Sequence, residues 1–97
     1  MNINKENESL NIDKLGDITA ASIDNLKDSL LNEIDDISEV VLDLDQVELI
    51  DSSGISLLVS IQNSLSKKSG QLKLINVSDD LKHMFKLMRL DRHFAVC

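Results

Sequence analysis

Residues 37–77 read as strand, helix and strand with little slack between them, and this spacing constrains the chain more than any other feature. "ISEVVLDL" supplies Val40, Val41 and Leu42, with Leu44, a β-branched-rich run of the kind expected of a strand covered on both faces. Leu57, Leu58, Ile61 and Leu65 then recur as one stripe of a helix, and Gly70 is placed to stop it after "SLSKKS". "QLKLINV" follows as a short strand with Leu72, Leu74 and Val77 on one face. Strands alternating with helices at this spacing imply βαβ units and a mainly parallel sheet with helical cover. Right-handed crossovers limit the topologies further.

The flanking segments extend the pattern. "SLNIDKL" alternates apolar and polar residues as a half-exposed strand, and Gly16 marks a turn after it. In "ITAASIDNLKDSLLNEI", Ile23, Leu26, Leu30 and Ile34 fall at helical spacing, with Thr19 or Ser22 as the N-cap. Ser78 is placed to cap a third helix whose apolar face is Leu81, Met84, Phe85 and Met88, and "HFAV" reads as a last short strand. The expected fold is a small single-domain α/β sandwich over residues 1–97, with its core at about 9–96. Its sheet is mixed, mostly parallel and four- to five-stranded, with helices mainly on one face.

Composition fits such a domain. Hydrophobic residues make up 42% of the 97, enough for a core, and the only aromatics are Phe85 and Phe94. No apolar stretch approaches the ~20 residues needed to span a bilayer. The polar start "MNINKENESL" lacks the apolar centre of a signal peptide, so a soluble, cytoplasmic protein is expected. The single cysteine, Cys97, provides neither an internal disulfide nor a Cys-based zinc site. Seventeen acidic residues against ten basic give a formal charge of −7. That sign disfavours nucleic acid and anionic membrane, and it suits either solubility alone or a basic protein partner.

The stretch "LIDSSGIS" stands where a strand hands over to a helix, the end of a parallel sheet where ligands and chemistry gather. A hydroxyl at Ser52 or Ser53 can satisfy an orphan N–H of the new helix, and a phosphate on it would meet the same amides. Gly54 removes a side chain so that a bulky group can approach, and Asp51 can accept an amide bond or hold the Mg²⁺ of a visiting nucleotide. The plain reading is a helix cap. A nucleophile needs a histidine base and an oxyanion site. His83 and His93, the only histidines, read as solvated, so serine hydrolysis is disfavoured. Asp35–Asp36 and Asp79–Asp80 read as loop and helix-start charges, and Asp43 and Asp45 as strand-end carboxylates without calcium-loop spacing. Lys82, Lys86, Arg89 and Arg92 read as the solvated face of a helix. No phosphate-cradling glycine motif is present. No catalytic site, cofactor or metal is expected.

From about Ser9 to Val96 the chain resembles the STAS family, in particular the bacterial anti-sigma factor antagonists. The residues that carry the resemblance are the "VVLDL" strand, the step ending "IDSSG", the helix ended by "KKSGQLKLINV", and "F-x-L-x-x-L" over Phe85 to Leu90. The resemblance implies a non-enzymatic switch. Its partner would be an anti-sigma factor that is also a serine kinase of the histidine-kinase-like ATPase type. That kinase would phosphorylate Ser52, the first serine of D-S-[ST]-G, and a PP2C-type phosphatase would remove the phosphate. The unmodified form would capture the anti-sigma factor and free the sigma factor. Asp51, Ser53 and Gly54 would form the corner around the phosphosite.

Three departures from the family pattern bear on that role. Where antagonists carry "G-x-L-D" before the first helix, this chain has "GDIT", so Thr19 replaces the aspartate and Asp17 lies two residues earlier on the same partner-facing segment. The first strand would have to come from the short, polar "NINKEN". The chain stops at Cys97 without the C-terminal helix that many antagonists have, which would expose apolar surface and favour self-association. Compact versions resemble stand-alone STAS subunits, including one that binds the cytoplasmic ATPase of a lipid-transport ABC system. A scaffold subunit of that kind, with Ser52 only a cap, is the alternative reading.

Overall fold

The computed structural model describes all 97 residues. The chain begins with a hairpin of β1 (Asn2–Glu6) and β2 (Ser9–Asp13), paired antiparallel from Asn2 opposite Asp13 to Glu6 opposite Ser9. Asn7 turns the hairpin in the left-handed region, with φ 54°, a conformation Asn tolerates better than most residues. Helix α1 (Ile23–Glu33) and a 3₁₀ turn (Ile34–Asp36) lead to β3 (Glu39–Asp43). Next come α2 (Ser52–Ser66), β4 (Gln71–Ile75), α3 (Asp79–Leu87), a 3₁₀ turn (Leu90–Arg92) and β5 (Ala95–Val96). The sheet order is β1-β2-β3-β4-β5, and every neighbouring pair after the first is parallel. The strands advance in one direction across the sheet, so crossovers of one hand place all three helices on the same face.

That arrangement explains the alternation along each strand. Leu10, Ile12, Val40, Leu42, Leu72 and Leu74 point under the helices and are essentially inaccessible. Leu26 and Leu30 of α1, Leu58, Ile61 and Leu65 of α2, and Leu81 and Phe85 of α3 cover them. The two rings meet edge to face, Phe85 and Phe94 lying 5.7 Å apart between centroids at 89°. On the helix-free face, Asn11, Asp13, Val41, Asp43 and Ile75 are half-buried among their strand neighbours. Val41 therefore corrects the expectation of a strand covered on both faces: β3 is covered by helices on one face only.

Several boundaries differ from the sequence reading. Helix α1 starts at Ile23, leaving Ala20 and Ala21 exposed in a preceding turn. Ser22 stands at its N-cap position without a cap bond. The Ser22 hydroxyl instead donates to the Asp17 carbonyl at 2.6 Å and accepts from the Thr19 N–H at 3.2 Å. After β2 the left-handed residue is Lys14, not Gly16. After α2 it is Ser69, with φ 59°, and Gly70 serves a different need. A Cβ on Gly70 would lie 2.2 Å from the Ser38 carbonyl oxygen, so its glycine lets the turn pass close to the start of β3. Met88 lies just beyond α3, where Arg89 takes φ 59°, and is 49% exposed instead of joining the core. The last strand contracts to Ala95–Val96, because Phe94 turns inward to Phe85. The polar "NINKE" does form a strand, with all five residues exposed.

Ser78 caps α3 as its sequence position predicts, accepting from the Leu81 N–H at 3.2 Å. The one strongly buried polar side chain also has a structural task. Gln62 of α2 accepts from the Leu72 N–H at 2.9 Å and donates to the Ser66 hydroxyl at 2.7 Å. Strand β5 pairs only with Lys73 and Leu74, so the Gln62 amide completes the β4 edge where β5 does not reach.

Candidate functional site

Beyond the carboxyl ends of β2 and β3, two loops are locked side by side. Ile18 and Ile50, both buried, form an isolated parallel bridge that extends the β2–β3 pairing past the strand ends. The Ile18 N–H donates to the Leu49 carbonyl at 3.0 Å, and the Asp51 N–H donates to the Ile18 carbonyl at 3.2 Å. Two aspartates clasp the same loops from opposite sides. Asp17, on the first loop, accepts from the N–H groups of Glu48 and Leu49 at 3.0 and 3.1 Å through one oxygen. Asp51, on the second, accepts from the Ala20 N–H at 2.9 Å with one oxygen and from the Gly54 N–H at 2.9 Å with the other.

These contacts settle which residue caps α2. Asp51 is the N-cap, in extended backbone, and its carboxylate takes the Gly54 amide that would otherwise be an orphan donor. Ser52 is therefore the first residue of the helix and not its cap, and Ser53 is the second. The amide of Ala20, followed by that of Gly54, holds the Asp51 carboxyl below its ordinary value of 3.8, while partial desolvation acts the other way. A fixed anion thus sits immediately before Ser52, at the positive end of the α2 dipole.

Gly54 has a different role from the one its sequence position suggests. It is buried, and a Cβ there would lie 2.2 Å from the Ile18 carbonyl oxygen and 2.8 Å from Cγ2 of Ile50. The space a side chain would fill is taken by this chain's own loop bridge, not left open for an approaching group. Gly54 brings the first turn of α2 against the first loop, and that contact fixes where Ser52 projects.

Ser52 is exposed, and Ser53 is half-buried on the side facing α1. Thr19 is half-buried on the neighbouring loop, with its hydroxyl 3.4 Å from that of Ser22. The structure brings Asp17, Thr19, Asp51, Ser52, Ser53 and Gly54 to one corner. Asp43 belongs to a different turn: it accepts from the Asp45 N–H and from the Asn76 side chain, both at 3.0 Å, after β3. No group of three or more His, Cys, Asp or Glu side chains is placed to hold a metal ion. His83 and His93 are exposed. One member of the corner is absent from the sequence reading. Leu49 is 56% exposed between Glu48 and the buried Ile50, an apolar side chain on the bridged loop that leads to Ser52. Its only sequence signal is an unpaired leucine in "VELID".

The STAS domain family model matches residues 4–97. The fold is shared with the anti-sigma factor antagonist SpoIIAA in its unphosphorylated form, at TM-score 0.74 and 16% identity over 94% of each chain. It is shared with the phosphorylated form of the Bacillus cell fate determinant SpoIIAA at TM-score 0.77 and 16% identity, over 99% of this chain and 89% of that one. A candidate anti-sigma factor antagonist from Thermotoga maritima superposes at TM-score 0.88 with 20% identity, over 98% of this chain and 83% of that one. At these identities the likeness is one of fold. No helix is long and apolar enough to cross a membrane.

Proposed function

Because this chain belongs to the STAS domain family, we propose that it acts as an anti-sigma factor antagonist in a partner-switching pathway, with Ser52 as its phosphorylation site. One observation carries the assignment of the acceptor. Asp51 does the capping of α2, so the exposed Ser52 hydroxyl is not needed to start the helix and stands at the surface of a clasped, rigid corner. The unphosphorylated corner, with Leu49 on the loop that leads to it, captures an anti-sigma factor that is also a serine kinase of the histidine-kinase-like ATPase type. A PP2C-type phosphatase restores the unmodified form.

The chemistry of the switch follows from charge. Phosphate adds about −1.5 to −2 at pH 7, beside the ionised Asp51 and on a protein already at −7. The first N–H groups of α2 and its dipole compensate the phosphate within the domain. The repulsion is therefore directed outward, against an acidic or desolvated partner surface, and the fold is kept. Phosphorylation acts at the interface.

Intact mass of the protein purified from its own host, beside Ser52→Ala and Ser53→Ala variants, tests the assignment. A phosphate-sized increment that vanishes only in Ser52→Ala is the expected result. Its absence under every growth condition would reject the switch. In that case the second reading applies, a scaffold subunit in a lipid-transport ABC system or another signalling complex. A specific observation favours that reading: Thr19 supplies no carboxylate at the family's aspartate position, and Asp17 is engaged with the backbone of the second loop.

A further inference from the structure

The connection from β3 to α2 has little regular structure of its own. The buried side chains of Leu44, Val47 and Ile50 anchor it to the core, and its first half turns on a 3.0 Å bond from the Val47 N–H to the Leu44 carbonyl. Its second half is held by the loop before α1. The N–H groups of Glu48 and Leu49 donate to the Asp17 carboxylate, and that of Asp51 donates to the Ile18 carbonyl. Of these acceptors only Asp17 is a side chain.

Burial does not call for the Asp17 bonds. Asp17, Glu48 and Leu49 are all exposed, where water can serve the two amides. The Gln62 bond is different, because it answers a buried strand amide. What the Asp17 bonds do is remove freedom. A surface connection is ordinarily mobile, and one charged acceptor shared by two successive amides fixes the backbone there. Ser52 stands three residues beyond Leu49, and the bond from the Ala20 N–H to Asp51 holds the stretch between them from the other side. The Asp17 carboxylate is spent on backbone, and it takes part in neither of the molecule's ion pairs, both of which run from Lys5.

We propose that Asp17 is a positioning residue for the phosphorylation of Ser52: touching neither phosphate nor kinase, it sets through residues 48–51 the place at which the serine hydroxyl is offered. The transfer depends on that place. Ser52 Oγ forms a bond to the γ-phosphorus of a nucleoside triphosphate held by the kinase, the bond from that phosphorus to the diphosphate breaks, and the hydroxyl proton passes to a base of the kinase. Attacking and leaving oxygens lie roughly in line, and a misplacement of about 1 Å can cost about a hundredfold in rate. The inference rests on the Ser52 reading and adds to it that position 17 acts through an acceptor oxygen on the backbone, not through a charge shown to the partner.

The initial rate of phosphate incorporation tests this, followed by intact mass on the purified chain in an extract of its host supplied with ATP. Wild type, Asp17→Ala, Asp17→Asn and Asp43→Ala are compared, with Ser52→Ala as the blank, at a temperature where circular dichroism shows every variant folded. Asp17→Ala should be slower by about tenfold or more, with faster amide exchange at Glu48 and Leu49. Asp17→Asn keeps an acceptor oxygen without the charge and should recover most of the rate. Asp43→Ala removes a comparable bond between an aspartate and a backbone amide from the turn after β3, and should keep the wild-type rate. An Asp17→Ala rate equal to wild type would overturn the proposal. So would Asp17→Asn as slow as alanine, which would mean that the partner reads the charge, or an equal loss in Asp43→Ala, which would mean general loosening. Wild type without phosphate would reject the Ser52 reading and this inference with it, whereas a labelled wild type beside an unaffected Asp17→Ala rejects the inference alone.

Discussion

Asp51 Oδ2 lies 2.9 Å from the backbone nitrogen of Ala20, thirty-one positions away in sequence, while Oδ1 holds the Gly54 N–H of its own helix. One carboxylate thus caps α2 and ties it to the loop before α1. Its folded pKa lies below the ordinary 3.8, so in acid the unfolded chain binds the proton more readily than the folded one. The stability Asp51 contributes is complete above that ordinary value and is lost as pH falls through the lower folded value. Urea unfolding of wild type and Asp51→Asn across acid pH should show a constant difference near neutrality that narrows below pH 3.8. A difference independent of pH would mean that the charge plays no part in the clasp.

Gly54→Ala should be destabilising although alanine is the better helix former. The new methyl would meet the Ile18 carbonyl oxygen at 2.2 Å, and Ile18 is held in the inter-loop bridge. Overpacking of this kind costs about 1–3 kcal/mol, more than the ~1 kcal/mol gained in propensity. Thermal unfolding would register the net loss, at about 4–8 °C per kcal/mol for a domain of this size. Ser56→Ala, exposed on the same helix, is the control and should be neutral or slightly stabilising.

Ser52→Asp should fold like wild type. A carboxylate at the first residue of α2 interacts favourably with the helix dipole by about 0.3–1 kcal/mol, less the repulsion from Asp51. Matching far-ultraviolet spectra and melting temperatures, together with lost capture of the proposed anti-sigma partner, are the expected pair of results. Global unfolding of this variant would show that the charge acts on the fold and not at the interface.

Gln62→Leu should cost about 1–3 kcal/mol, the penalty for a buried donor left without its acceptor. The amide at risk is the Leu72 N–H, which Gln62 serves at 2.9 Å where β5 does not extend. Gln62→Glu, which keeps the accepting oxygen, should recover part of that loss at a pH where its carboxylate is ionised. Equal losses in both variants would point to packing and not to the hydrogen bond.

The elements were legible in the sequence because they rest on local periodicity. Leu58, Ile61 and Leu65 mark the buried stripe of α2 by spacing alone, and the alternation in "QLKLI" marks β4. What escaped depends on partners far along the chain. Nothing near Asp51 tells that Ala20 will present an amide to it, so the sequence leaves the cap open among Asp51, Ser52 and Ser53, and the structure gives it to the aspartate. Asp17 grips Glu48 and Leu49 across a similar distance. Gly54 and Gly70 are glycines for the same hidden reason: a carbonyl oxygen from elsewhere, Ile18 or Ser38, occupies the place of the side chain. The hydrophobicity of a run reveals little about which face the crossovers will leave open, and Val41, in a run that reads as covered on both faces, lies on the helix-free one.

The edge-to-face pair of Phe85 and Phe94 has an optical consequence. The chain contains neither tryptophan nor tyrosine, so its aromatic near-ultraviolet signal arises from these two rings alone. One belongs to α3 and the other directly precedes β5, so near-ultraviolet dichroism reports the docking of the last segment onto the domain. A single tryptophan placed at Leu49 would add intrinsic fluorescence against a dark background and make the loop that leads to Ser52 its sole emitter.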